Sequence, residues 1–416
     1  MYDYIIVGGG ISGLYNYKKL LEINKNYKIK LLEKNEYFGG RIHQHEEYFL
    51  DHNYSFPCGA ARFNINHKLV IKLMKEFGLL DMRTSKGQIP KIEFIDSKKQ
   101  FSNHYKNKNG FEIIDKILKH ASSTDSYILK HYSFQEYAEK YISNVDFEFI
   151  INSCGYSGQL KNMNMYDAYR LFSKGIRHDV KFFLGKFQLL INAMLKYLKE
   201  NKANMSLRCE VNNIYFNKKK DAYRLIYNKS NVLYTQKVVF CLPKEGLLKI
   251  NALKPIHCIL NESITTKPLC RIYAIFDKSA TWLKTIKNKI TTNNQLRFII
   301  PIDPDNGLIM ISYTDDIHTE YWYKKKNSQR IMKKTIVKLI YETFKINVNE
   351  PQKVITCFWK SGVAYWNKNV NSDKISEFLI NPFSNIYICG ENYSQNQSWV
   401  EGALETCNNF LTTQSI

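Results

Sequence analysis

Gly8, Gly10 and Gly13 form a Gly-x-Gly-x-x-Gly run directly after the apolar Tyr4-Ile5-Ile6-Val7, and Glu33 stands twenty residues beyond Gly13. These residue types at this spacing can hold a dinucleotide. The first glycine permits a tight turn, the second lets a pyrophosphate approach the backbone, and the third lets helix and strand lie close together. Ile11, Ser12 and Gly13 open a helix whose positive end faces the phosphates. Glu33, at the end of a strand Ile29–Leu32, is placed to bind ribose hydroxyls. A glycine turn of purely structural use would leave Glu33 unexplained.

The glycines alone do not choose between dinucleotides. Phe38-Gly39-Gly40-Arg41 follows Glu33, and the far end of the chain carries Ile386-Tyr387-Ile388-Cys389-Gly390-Glu391-Asn392 and then Ser398-Trp399-Val400-Glu401-Gly402-Ala403. Together these resemble the signatures of the flavin-containing amine oxidoreductase family, which includes monoamine, polyamine and L-amino acid oxidases. The resemblance implies FAD. In it Gly40 and Arg41 wrap the phosphates and ribityl chain, and Gly390 and Glu391 contact the same part. Trp399 stands beside the isoalloxazine ring, and the Val400 N–H meets its C2 carbonyl at a helix N-terminus. That last placement is physically reasonable, because a reduced flavin carries negative charge there. Cys209–Ile214 matches the strand at the adenine, with Val211 as the contact, and Val238–Pro243 matches the next apolar strand.

Cys58-Gly59-Ala60-Ala61-Arg62-Phe63 is similar to a stretch of the L-amino acid oxidase branch. There the resemblance makes Arg62 the grip on a substrate carboxylate, as a guanidinium fork can be; the alternative is that Arg62 braces a loop or the flavin. Arg271 aligns with a lysine that holds a water near flavin N5, with Lys267 nearby; arginine keeps its proton, so any proton role would be lost. The flavin-linking cysteine of monoamine oxidases aligns near Ser361, which implies non-covalent FAD. Tyr365, Trp366 and Trp399 are candidates for an aromatic wall about the substrate. Tyr15-Asn16-Tyr17, where small residues are customary, implies local repacking.

These motifs need an α/β frame: a Rossmann-like FAD-binding domain built from the N- and C-terminal segments, with an inserted α+β substrate-binding domain. The expected division assigns 1-80, 190-255 and 355-416 to the first, and 81-189 and 256-354, with a helical portion, to the second. Helix-like stretches fill 111–200, an antiparallel meander is expected over Ser206–Phe216, Tyr223–Tyr227 and Val232–Leu242, and an amphipathic helix over Ser328–Thr343. Strands are expected at 268–276 and 296–313, and the last helix starts near Trp399 with Val400, Ala403, Leu404, Cys407, Phe410 and Leu411 on its buried face.

The chain has 416 residues, 44% of them hydrophobic and 14% aromatic, which excludes disorder and suggests two domains. No window is apolar enough for a membrane span and no signal peptide opens the chain, so a cytoplasmic location is expected. The nine cysteines are scattered, with no C-x-x-C, so neither a disulfide framework nor a zinc site is expected, and His43, His45 and His52 lack further ligands. The net charge of +22 is dispersed and leaves non-specific contact with nucleic acid as the only such contact implied. The resemblance implies oxidation of a primary or secondary amine or L-amino acid to an imine, by hydride transfer to flavin N5, with O2 giving H2O2. The alternatives are a flavin desaturase or isomerase acting on a non-amine, and a catalytically lapsed FAD-binding module.

Overall fold

The computed structural model describes residues 1–82, 85, 87–106, 108–176 and 179–414. It is a mixed α/β protein built around two large sheets. In the first, the opening strand Tyr2–Val7 lies in the middle, parallel to Ile29–Leu32 on one side and to Asn231–Phe240 on the other. Asn204–Ser206 extends it beyond Ile29–Leu32, and Ile386–Ile388 pairs in parallel with Asn231–Phe240. Ile5, Ile6 and Val7 are buried on both faces, as parallel strands between helices require. The helices Ile11–Ile23 and Val400–Thr412 cover one face, so the two chain ends meet there.

The second sheet runs in the order Lys353–Trp366, Ile264–Ile275, Leu308–Asp315, Phe298–Asp303, Lys289–Thr292 and Ile92–Ile95. Helices between Gly110 and Gly175 form a cluster of their own against it. The helix Gln329–Phe344 matches the expected amphipathic one and buries Met332, Ile336, Leu339 and Ile340. Among the described residues no helix is long and apolar enough to cross a membrane.

Two local expectations differ from the structure. The strand expected from Ser206 begins at Val211, because Arg208 adopts φ 55° and the N–H groups of Arg208 and Cys209 bond to the carbonyls of Asn35 and Glu33. Tyr15, Asn16 and Tyr17, where repacking is expected, are all buried: the Tyr15 hydroxyl donates to Asn408 Oδ1 at 2.9 Å, and Tyr17 to the Ile29 carbonyl at 3.0 Å. The bulk of these residues thus fills the joint between the first helix, the last helix and the sheet. The second difference is a disulfide, Cys58–Cys357, whose Cα atoms lie 5.2 Å apart across a sequence separation of 299. Neither cysteine belongs to a spacing motif; only the fold makes them neighbours.

Candidate active site

The dinucleotide cradle is explained by which glycines are crowded and which is not. A Cβ on Gly13 would stand 2.0 Å from the Gly8 carbonyl oxygen, so Gly13 serves the strand–helix contact. Gly8 has φ +106° and a Cβ there would lie 2.5 Å from the Cys241 oxygen. Gly10 is different: a Cβ would meet nothing nearer than Gly39 O and Gly40 Cα, both at 4.0 Å. Gly10 lies backbone to backbone with Gly39 and Gly40, and the open side of this glycine turn is where a phosphate can approach. The helix it opens has no capping side chain and no acid in its first turn, which leaves the N–H groups of Ile11, Ser12 and Gly13 without intrahelical acceptors.

Glu33 is buried beside this turn, its two carboxylate oxygens accepting from Gly9 N at 2.7 Å and Asn35 N at 2.8 Å. Each oxygen keeps a lone pair for a ribose hydroxyl. The Glu33 carbonyl accepts from Cys209 N, which brings Val211, buried at the start of its strand, to the same end of the sheet.

A second uncapped helix start comes from the other end of the chain. Arg41 Nη2 pairs with Glu391 Oε2 at 2.7 Å, and its Nη1 donates to the Gly362 carbonyl. Glu391 also accepts from the Ser398 N–H at 2.5 Å, with Ser398 at φ 72°. That bond fixes the turn into Trp399, the residue before the helix Val400–Thr412, which carries no capping side chain. Glu401 turns away and caps another helix, accepting from Leu69 N and Val70 N, both at 2.9 Å. The Val400 end is therefore a free positive pole. Gly390, at φ +148°, precedes Glu391 and lets the chain turn there. Two open helix ends, a buried acid with lone pairs to spare and an open glycine turn fit a flavin dinucleotide.

Trp399 is half-buried, and among the described residues its buried indole N–H has no partner. Its ring stands 4.6 Å from His67 and 6.1 Å from Phe182, over which the Arg62 guanidinium lies at 4.9 Å. The pairing of Arg62–Asn64 with Phe182–Leu184 brings these groups together. Burial pushes the His67 imidazole down to about 4, from an ordinary value near 6.5. With the folded value below the unfolded one, stability is lost as pH falls through the interval between them. His67→Gln should therefore be less acid-sensitive than the parent by about 2 kcal/mol at pH 5, measured by urea unfolding at pH 7 and pH 5.

Arg271 lies on the strand Ile264–Ile275, opposite Cys357 on one side and Tyr313 on the other. It is nine-tenths buried. Its Nη1 donates to the Pro57 carbonyl at 3.0 Å, its guanidinium lies 4.9 Å from the Tyr313 ring, and its Nε has no partner. Lys267, the neighbouring alternative, pairs with Asp316 at 2.9 Å. The Cys58–Cys357 bond sits beside Arg271 and anchors the loop that leads to Arg62, and the Trp359 indole donates to the Cys58 carbonyl at 2.7 Å.

Tyr365 and Trp366 are placed elsewhere. Trp366 is fully buried under the first sheet and donates to the Ser394 carbonyl at 3.0 Å, while Tyr365 belongs to the core of the helical portion. Both fill core because the strand that carries them passes between the two halves of the molecule. Sequence reasoning missed His67, Phe182, Tyr156 and Lys289. Tyr156 stands 5.9 Å from Tyr313 and also lines an apolar cleft with Phe134, Cys154, Gln159 and Phe172. Gln159 joins that cleft to the site, donating to Ser398 Oγ at 2.6 Å. Lys289 is pushed down to about 6 by burial and by the charges of Arg62 and Arg271. Nothing in the sequence separates it from the other lysines.

Comparison with known proteins agrees with this arrangement. The chain is similar to an uncharacterized protein, R188, of Acanthamoeba polyphaga mimivirus, with 20% identity covering 98% of this chain and 93% of that one. Among solved structures it is similar to a cofactor-site double mutant of putrescine oxidase, with 13% identity, a TM-score of 0.76 and coverage of 100% and 98% of the two chains. Cyclohexylamine oxidase from Brevibacterium oxydans is similar at 14% identity and a TM-score of 0.75, again over 100% and 98%. The model of flavin containing amine oxidoreductases matches residues 11–408, which includes Glu33, the Arg41–Glu391 pair and Trp399. The chain belongs to the flavin-containing amine oxidoreductase family and is a flavin-dependent oxidoreductase.

Proposed function

We propose that this protein binds FAD non-covalently and oxidises a primary or secondary amine, or an L-amino acid, to the imine. When bound, FAD supplies the oxidising power, accepting a hydride from the carbon that bears the nitrogen and passing the electron pair to O2 to give H2O2. The observation that carries the reading is the contiguity of Trp399, Phe182 and Arg62 with the open helix end at Val400. Glu33, Val211 and the Gly8, Gly10, Ile11, Ser12 and Gly13 turn would hold the adenosine and pyrophosphate, and Gly40, Arg41, Gly390 and Glu391 the ribityl side. Arg62 would orient a carboxylate, and Trp399 would wall the reacting carbon against water. Arg271 would keep a fixed positive charge at the site without exchanging a proton.

Non-covalent attachment is supported by Ser361 standing next to Gly362, whose carbonyl receives Arg41, while the nearby Cys357 is engaged in the disulfide. The strands of the first sheet fall within 1-80, 190-255 and 355-416, and this favours those segments as the cofactor-holding part. Purified protein should be yellow and release its FAD on heat or acid. Anaerobic addition of amino acids or amines should bleach it, and air should restore the colour with stoichiometric peroxide. Flavin that stays attached after denaturation, or a flavin that no amine or amino acid bleaches, would overturn the reading.

A further inference from the structure

A run of hydrogen bonds ties the helical portion to the turn before Trp399. It starts at Asp315, buried at the end of the strand Leu308–Asp315 in the second sheet. Its carboxylate accepts from the Ser157 N–H and hydroxyl, both at 3.1 Å, and from the Gly158 N–H at 2.8 Å. Those bonds seat the short helix Gly158–Asn162, whose second residue is the buried Gln159. The Gln159 amide nitrogen donates to the Ala364 carbonyl at 3.4 Å and to Ser398 Oγ at 2.6 Å. A carbonyl oxygen only accepts, so the Ala364 bond fixes which end of the amide faces Ser398. Ser398 donates its own N–H to Glu391 Oε1 at 2.5 Å, and Glu391 Oε2 takes Arg41 at 2.7 Å.

Ser398 is the residue of this run that sits in the left-handed region, at φ 72°. A residue with a Cβ stays there only where its surroundings over-determine it, and such strain gathers at sites that do chemistry. Two bonds hold Ser398, one from the cofactor side through Glu391 and one from the substrate side through Gln159. The residues that follow are Trp399 and the open helix end at Val400. A helix N-terminus stabilises negative charge only where it is aimed at that charge.

We propose that Gln159 is a positioning residue. Its bond to Ser398 Oγ holds the turn that aims the Val400 helix end at the flavin, so the substrate side of the protein sets the electrostatics of the cofactor. The proposal rests on the flavin placement given above and adds a residue that acts through Ser398.

Sulfite is the probe. It adds its lone pair to flavin N5 and leaves negative charge at N1 and C2=O, with no amine chemistry involved. Its dissociation constant, read from the loss of flavin absorbance, is compared in the FAD holoenzyme, Gln159→Met, Ser398→Ala and the double variant. Each single change should weaken sulfite binding at least tenfold and leave the FAD dissociation constant within threefold, because Glu33 and the glycine turn are untouched. The double variant should stay within twofold of Ser398→Ala, since Gln159 then has nothing left to act on. Losses that multiply in the double variant mean that Gln159 only fills core, and overturn the proposal. A Gln159→Met protein that binds sulfite like wild type, or a wild type that binds none, also overturns it. If Gln159→Met does not fold, Ser398→Ala decides alone: sulfite binding at the wild-type level sinks the proposal, and a tenfold loss supports it. Coupled sulfite losses in a holoenzyme that no amine or amino acid bleaches keep the role of Gln159 and sink the oxidase. Bleaching by an amine or amino acid together with multiplying losses does the reverse.

Discussion

Gly10→Ala should purify as a folded, colourless protein. The Cβ it adds meets nothing nearer than Gly39 O and Gly40 Cα at 4.0 Å, and Gly10 has an ordinary φ of −73°, so the fold has no reason to object. The same Cβ crowds the glycine turn on which a pyrophosphate must lie. Flavin affinity should fall at least about 100-fold, which corresponds to about 3 kcal/mol. Reconstitution with FAD, followed by absorbance, measures the loss, while urea unfolding of the two apoproteins should agree within about 1 kcal/mol. Gly13→Ala makes the contrast: its Cβ would stand 2.0 Å from the Gly8 oxygen, so it should harm folding itself. A Gly10→Ala protein that keeps its colour would show that the phosphates lie elsewhere.

Arg62→Ala should raise the Michaelis constant for an L-amino acid about 100-fold and leave the matching decarboxylated amine within about threefold. Hydrogen bonds to a charged group contribute about 1.5–3 kcal/mol, and a carboxylate on a guanidinium fork can make two. The half-buried Arg62 has a ring beneath it and, among the described residues, no acid partner, so its removal leaves no orphaned charge there. Equal losses for amino acid and amine would mean that Arg62 braces the loop between Cys58 and Phe63, and simple amine oxidation would then describe the enzyme better.

What the sequence made legible was what local chemistry dictates. The strand, glycine turn and helix at residues 4–23 need no distant partner to be read, and Glu33 follows from their geometry. The paired end motifs could be placed on the cofactor through a family resemblance, but the Arg41–Glu391 ion pair and the Ser398 bond that aims Trp399 arise only from the fold. Trp366 misled because an aromatic on a strand has the same pattern whether it lines a site or fills a core. The disulfide and Lys289 were invisible for a related reason: each matters through a neighbour brought close by the second sheet and the Arg62 loop, not through its own surroundings in the chain.

The arrangement of the first sheet also fixes when this protein can acquire its cofactor. The strand Tyr2–Val7 is completed by Asn231–Phe240, and Ile386–Ile388 joins next to it. The final helix then closes over the first, with Tyr15 bonded to Asn408 and the Tyr4 hydroxyl to Gln414. A nascent chain therefore carries its glycine turn long before Asn231–Phe240, Ile386–Ile388 and the helix at Val400 exist to lock it. A chain that stalls or is clipped before that helix should fail to retain flavin.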